Sequence, residues 1–141
     1  YSGSLGTNTS VTVTGLPTDG STVHVTLWWY DGGWSNAKYT YTAAAASAPA
    51  VTSPSNGATL SGASESFSWA TNGASVTDYA VYAGSSSGAY DYFYSGSLGT
   101  NTSVTVTGLP TDGSTVWVTL YYYKTGDGWY NSGSLAYTAS N

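Results

Sequence analysis

Residues 1–23 read YSGSLGTNTSVTVTGLPTDGSTV, and the same 23 residues return without a single change at 94–116. The two copies of this repeated block begin 93 positions apart, which is about the length of one small domain. A duplication on this scale predicts tandem modules. Residues 46–141 are predicted to form one complete β-sandwich repeat, and residues 1–45 the C-terminal half of another, to be completed by upstream chain or by a neighbouring subunit.

The repeated block itself predicts a strand, a turn and the start of a second strand. Val11 and Val13 alternate with threonines at 10–15, the period-two pattern of a half-buried strand. The sequence LPTDG at 16–20 then predicts a turn, because Pro presets φ and Asp-Gly tolerates positive φ. A longer strand is predicted at 22–30, with Val25, Leu27 and Trp29 among its inward residues.

The remaining sequence repeats this alternation, and Gly, Pro and Asn turn signals separate the strands. The alanine-rich stretch at 43–50 contains Pro49 and is predicted to be an extended connector, not a helix. About seven short strands and no helix predict an all-β, antiparallel β-sandwich. Further strands are predicted at 38–42, 64–70, 77–84, 89–95, 116–123 and 134–138, with Tyr79, Val81, Ala83, Leu135 and Tyr137 inward and Ala80 and Tyr82 outward.

Composition excludes several classes of partner. Charged residues make up 6% of the chain and the net charge is −5, with only two lysines, so no basic patch exists for nucleic acid. No apolar run approaches the roughly 20 residues that span a bilayer. Cysteine and methionine, the readily oxidised side chains, are absent, which suits a durable protein outside the cell or on its surface.

Four stretches carry a family resemblance: FSW at 67–69, DYAVYAG at 78–84, SVTVTGLP at 103–110 and STVWVTL at 114–120. Together they resemble a fibronectin type III-like (Ig-like) module, and in particular the tandem repeats of bacterial secreted and surface proteins. The resemblance covers 47–140 as a full module and 1–43 as the second half of another. It implies a spacer, adhesive or structural role and brings no catalytic residues.

The predicted half-module leaves an apolar face without a cover. Val11, Val13, Val25, Leu27 and Trp29 lie on that face, and covering such a side chain is worth on the order of 1.5–3 kcal/mol. Strand addition by another copy of the protein is one way to cover it. These five residues are therefore predicted to belong to a self-association interface.

Outward aromatic residues extend the predicted interface, since a contiguous exposed aromatic patch drives packing. Three readings stay open: packing against neighbouring strands of the same module, self-association, and stacking against polysaccharide. The residues concerned are Trp28 and Tyr30 in the first copy and Trp117, Tyr121 and Tyr123 in the second.

Other candidate sites are weak. Asn8 and Asn101 begin N-x-S sequences and are possible glycosylation acceptors. His24, the only histidine, is replaced by Trp117 at the corresponding position, which argues against a catalytic or metal-binding role. We therefore expect no enzyme activity, no metal and no cofactor.

The first hypothesis is a structural repeat of an extracellular filament or large secreted surface protein, which assembles with copies of itself through β-strand and aromatic contacts. The alternative is a carbohydrate-binding or adhesive accessory module of a secreted protein.

Overall fold

The computed structural model describes residues 1–141 and divides them into two units, Tyr1–Ala46 and Ser47–Asn141. All regular structure is β-strand, in antiparallel sheets, so the predicted all-β class is confirmed. No helix of the protein has the length and apolarity to cross a membrane. The strands are β1 (Thr22–Tyr30), β2 (Trp34–Thr42), β3 (Ala50–Ser53), β4 (Ser64–Ala70), β5 (Asp78–Gly84), β6 (Phe93–Tyr94), β7 (Ser103–Thr107), β8 (Thr115–Lys124) and β9 (Gly128–Thr138).

The first unit contains one β-hairpin. β1 and β2 pair over nine residues each, from Thr22 opposite Thr42 to Tyr30 opposite Trp34. Asp31-Gly32-Gly33 closes the hairpin, and Gly32 takes a φ of 98°, a region that favours glycine. β2 is therefore longer than the predicted 38–42, because the short turn lets pairing run to the tip.

The second unit contains two sheets that enclose one core. One sheet has the strand order β3-β4-β7 and the other has the order β6-β5-β8-β9. Each sheet turns its apolar side to the other, as the period-two alternation dictates. The arrangement is a β-sandwich. Its core residues are Leu60, Phe67, Trp69, Tyr79, Val81, Ala83, Val106, Leu109, Val116, Val118, Leu120, Tyr122, Tyr137 and Ala139.

Several predicted strand bounds differ from those observed. The strand predicted at 89–95 is reduced to Phe93–Tyr94, because a turn precedes it in which the Ala89 N–H donates to the Ser86 carbonyl oxygen. The strand predicted at 134–138 instead spans Gly128–Thr138, and a bulge in the β8–β9 register, between Thr119 and Tyr121, accommodates the extra length.

Ala80 is predicted to face outward, and it lies on the same side of the sheet as Tyr82 and Tyr121 but is covered there. Only 6% of Ala80 is accessible, since it lies at the floor of a depression that Tyr82 and Tyr121 also line. The residues predicted to point inward from β5 are buried: Tyr79, Val81 and Ala83 are at most 1% exposed.

The prediction of a strand at 10–15 is also wrong, although the sequence of residues 10–14 is repeated unchanged in β7. Residues 10–15 pair with no strand, whereas β7 pairs with β4 from Ser103 opposite Ser68 to Thr107 opposite Ser64. A strand needs a partner for its backbone groups, and the first unit contains no counterpart of β4. Tertiary context, not local sequence, decides the outcome.

Tyr137 joins the two sheets of the sandwich at one end of the core. Its side chain is 2% exposed, its hydroxyl donates to the Pro54 carbonyl oxygen at 3.2 Å, and its ring meets Phe67 edge-on at 5.3 Å. Burial raises the pKa of Tyr137 to about 12, from an ordinary value of 10.0.

Alkaline pH should therefore weaken the second unit. The unfolded chain releases the Tyr137 proton near pH 10 while the folded chain keeps it, so the free energy of unfolding falls as pH rises from about 10 towards 12. The loss amounts to about 3 kcal/mol at the upper end. Urea denaturation between pH 9 and 12 measures this loss in the free energy of unfolding, and Tyr137→Phe should remove the part of the loss that comes from Tyr137. An equally steep pH dependence in that variant contradicts the assignment.

Candidate interaction surfaces

The two copies of the repeated block share their backbone conformation at the glycines. The glycines at corresponding positions take nearly equal φ angles, all in the left-handed region. The glycine turns of the block therefore have the same shape in both units. The pairs are 74° and 67° at Gly3 and Gly96, 59° and 56° at Gly6 and Gly99, 72° and 75° at Gly15 and Gly108, and 77° and 74° at Gly20 and Gly113.

The hydrogen bond between Asp and Ser within the LPTDG turn is the same in both copies. The Ser21 N–H donates to Asp19 Oδ1 at 2.9 Å, and the Ser114 N–H donates to Asp112 Oδ1 at 3.0 Å. In each turn hydrogen bonding from the serine lowers the pKa of the aspartate. These acids therefore stabilise turns, as their sequence setting predicts.

Burial separates the two copies. Val13 is 56% exposed and Leu16 is 51% exposed, whereas their counterparts Val106 and Leu109 are 0% and 4% exposed. The difference continues beyond the block: Leu27 is 51% exposed and its counterpart Leu120 only 1%. The sequence is the same or nearly so, and only the surroundings differ.

The uncovered side chains of the first unit form one surface, which we call the open face. β1 and β2 place directly opposite residues on the same side of the sheet, so Val23 lies beside Tyr41 and Val25 beside Tyr39. Trp29 is 42% exposed on this side. The open face consists of Val23, Val25, Leu27, Trp29, Tyr39 and Tyr41, and Val11 and Val13 are exposed in the preceding segment at 49% and 56%.

The opposite side of the same hairpin carries the outward aromatic residues. Trp28 and Tyr30 are 55% and 64% exposed, and the Tyr30 ring meets Trp34 at 5.5 Å between ring centroids. Trp34 was missed by the sequence reasoning because it lay outside the predicted strand at 38–42. These three rings gather at the tip of the hairpin, where a packing partner can reach them.

In the second unit the predicted outward residues are half-buried. Trp117, Tyr121 and Tyr123 alternate along β8 with its buried residues. Tyr123 packs against Trp129 of β9, with ring centroids 5.4 Å apart. Packing against neighbouring strands thus accounts for part of their surface.

A cluster of four tyrosines lies on the outer side of the four-stranded sheet, and the sequence predicted an outward position for two of them, Tyr82 and Tyr121. Tyr82 is at its centre, with ring centroids 4.5 Å from Tyr121, 5.1 Å from Tyr94 and 5.2 Å from Tyr90. Burial raises the pKa of Tyr82 most, and the neighbouring tyrosines raise it further. Tyr90 and Tyr94 remain 62% and 58% exposed, so the tyrosine cluster presents flat rings to solvent.

The tyrosine cluster borders a shallow depression of about 290 Å³. Tyr82, Tyr94, Tyr121 and Trp129 supply aromatic walls, and Ser97 lies at its edge. The Ser97 hydroxyl donates to both carboxylate oxygens of Asp78, at 2.9 and 2.8 Å. The depression therefore combines aromatic rings with a small polar group, without a positive charge.

The other candidate residues are dispersed. Asn8 and Asn101 are both exposed and each follows a tight turn, so both side chains are accessible to a modifying enzyme. His24 is exposed on the hairpin. No group of three or more His, Asp or Glu side chains is placed to hold a metal ion.

Comparison with known proteins finds no family model that matches the chain and no curated protein that matches it.

Proposed function

We propose that the protein is a structural repeat of an extracellular filament or large secreted surface protein and that it assembles with copies of itself. One observation carries the proposal: the repeated block is buried in the second unit and uncovered in the first, with its turns unchanged. The first unit contains the hairpin β1–β2 and an exposed apolar face, which fits half of a sandwich that lacks its other half. Protein contact is the ordinary way to remove such a face from water.

The composition supports an assembling role. With 6% charged residues, neighbouring copies repel one another weakly. A surface that binds a different surface on the next copy generates an open filament unless its rotation closes a ring. The exposed rings of Trp28, Tyr30 and Trp34 supply further aromatic contact area on the opposite side of the hairpin.

The strand order of the second unit supports the fibronectin type III-like relationship as part of the proposal. Its first, second and fifth strands form one sheet, and its third, fourth, sixth and seventh form the other. Ig-like sandwiches likewise keep the third, sixth and seventh strands together in one sheet. Repeats of this kind serve as spacers and adhesive units, which agrees with the proposed extracellular location.

Self-association of the whole chain tests the proposal. Light scattering should show a mass that rises with concentration, and electron microscopy should show ordered fibres. A chain that remains a monomer at every concentration contradicts the proposal.

A charge on the open face should disrupt this association. Leu27→Lys places an ammonium group where the partner must be apolar, so we expect at least a tenfold higher concentration for assembly, equivalent to about 1.4 kcal/mol. Thr40→Lys is the matched control, since it adds the same charge on the other side of the hairpin. Equal assembly of both variants, measured by sedimentation, argues against the open face as the contact.

Carbohydrate binding is the second candidate, and the aromatic-walled depression favours it. Flat tyrosine and tryptophan rings stack on the apolar faces of sugar rings, and concave sites with a few polar groups are typical of small-ligand binding. The exposed ring of Tyr94 lines the depression, and the exposed ring of Tyr90 lies 6.2 Å from it between ring centroids.

A binding assay with an insoluble polysaccharide tests this second function. If the protein binds carbohydrate, discrete particles of it bind to the polysaccharide, and Tyr94→Ala lowers the affinity at least tenfold. Tyr130→Ala is the control, because Tyr130 is 43% exposed but stacks on Tyr122 away from the depression. Absence of binding, or equal loss in both variants, excludes the depression as a sugar site.

A further inference from the structure

We infer that the first unit is an acceptor for a further copy of residues 50–93, joined directly ahead of Tyr1 and held in the register that the second unit displays. We call residues 50–93 the donor segment. The inference goes beyond the proposed function: it identifies which segment covers the open face, and contact between copies through that face then belongs to chains in which the segment is missing. The protein itself shows the fit, because the donor segment already covers the second copy of the repeated block.

Backbone pairing fixes the first part of the register. β4 pairs with β7 from Ser64 opposite Thr107 to Ser68 opposite Ser103. Since residues 10–14 repeat the sequence of β7, an added β4 would meet them with Ser68 opposite Ser10 and Ser64 opposite Thr14. The segment at 10–14 would then become the strand that its sequence predicts.

Further hydrogen bonds come from the start of β5. Asp78 Oδ1 accepts from the Gly99 N–H at 2.8 Å, and the Leu98 N–H donates to the Tyr79 carbonyl oxygen at 2.9 Å. The corresponding N–H groups of Leu5 and Gly6 have no hydrogen-bond partner within the protein. The first copy thus offers donors that the added segment would satisfy.

The apolar contacts follow the same register. β5 pairs with β8 so that Val81 lies opposite Leu120 and Ala83 opposite Val118. An added β5 would place its Val81 opposite Leu27 and its Ala83 opposite Val25. Together with the added Phe67 and Trp69, it would bury the open face as the second unit buries its own core.

The junction requires no linker. Phe93 and Tyr94 form β6, so the donor segment runs without interruption into the second copy of the block. Tyr1 is the counterpart of Tyr94. A donor segment that ends in Phe93 immediately before Tyr1 reproduces the observed connection. The 141-residue chain has two acceptors and one donor segment, so exchange between copies of it leaves one acceptor open in every chain.

A lengthened chain tests the inference. Residues 47–93 are added directly ahead of Tyr1, with Ser66→Cys in the added segment and Thr12→Cys in the acceptor. The corresponding pair, Ser66 and Thr105, are exposed and directly opposite, at a non-hydrogen-bonded position where Cα atoms lie about 4.5 Å apart. That spacing suits a disulfide, and the natural chain has no cysteine to compete.

We expect an intramolecular disulfide under mild oxidation, detected by mass spectrometry. In the lengthened chain without cysteines, the Val11 and Val13 amides should exchange at least tenfold more slowly than in the 141-residue chain. The matched control replaces Thr12→Cys by Thr7→Cys, which lies five residues out of register in the turn closed by the Asn8 N–H and the Leu5 carbonyl oxygen, and should not cross-link.

Unchanged exchange at Val11 and Val13, or cross-linking that is equal in the control, overturns the inference. Disulfides found only between molecules overturn it as well, because they place the donor segment on a neighbouring chain. These outcomes are independent of fibre formation by the 141-residue chain, which tests the proposed function. Fibres can form while the acceptor register is wrong, and the acceptor can close in a chain that forms no fibres.

Discussion

Leu109→Ala should destabilise the second unit by about 2–5 kcal/mol, whereas Leu16→Ala should change stability by no more than about 0.5 kcal/mol. Both leucines stand in the same local sequence, GLPTDG, and in the same turn. Leu109 is 4% exposed within the core and Leu16 is 51% exposed. The difference between the variants therefore isolates tertiary burial from any effect of local propensity.

Urea denaturation of the two variants measures this difference, in dilute solution where association does not contribute. Each substitution removes the same atoms and leaves Pro17 or Pro110 in place as the start of the turn. Equal destabilisation by both substitutions is incompatible with an uncovered first copy, because it requires Leu16 to be packed as Leu109 is.

Phe67→Ala should cost the second unit about 3–5 kcal/mol, the largest effect we expect from a single substitution. Phe67 is fully buried on β4 and lies opposite Val104 of β7. Its ring also meets Tyr137 of the other sheet at 5.3 Å. Truncation therefore opens a cavity between the two sheets and removes an aromatic contact across them.

The control for Phe67→Ala is Tyr90→Ala, at a position that is 62% exposed, where we expect a change within about 0.5 kcal/mol. The denaturation midpoint should fall for Phe67→Ala and stay in place for Tyr90→Ala. A small effect at Phe67 contradicts the assignment of β4 to the middle of the three-stranded sheet.

Alternation in the sequence was sufficient to predict most of the strands. β4 spans the predicted 64–70, and β1 spans the predicted 22–30, since Gly, Asn and Asp mark their ends. The same reasoning failed at 10–15. Period-two alternation reports which side chains share a face, but a strand also needs a neighbour for its backbone groups, and that neighbour lies far away in the sequence.

The candidate surfaces were predictable only in part. The period-two alternation of side chains predicted that Tyr82 and Tyr121 lie on the outer side of adjacent strands, and they do. It did not bring Tyr90 and Tyr94 to them, because the chain turns at Ala89 and reaches the sheet only at Phe93. The alternating tyrosines of YDYFY at 90–94 were the signal that a shared face lay there.

Hydrogen exchange of the 141-residue chain shows whether the first copy of the repeated block is uncovered, when measured at a concentration where light scattering gives the mass of one chain. Val104 and Val106 turn their amides towards β4, since the Trp69 N–H donates to the Thr102 carbonyl oxygen and such pairs alternate. We predict that these two amides exchange at least about a hundredfold more slowly than those of Val11 and Val13. Equal protection in the two copies contradicts the account, because it shows the first copy to be covered within a single molecule.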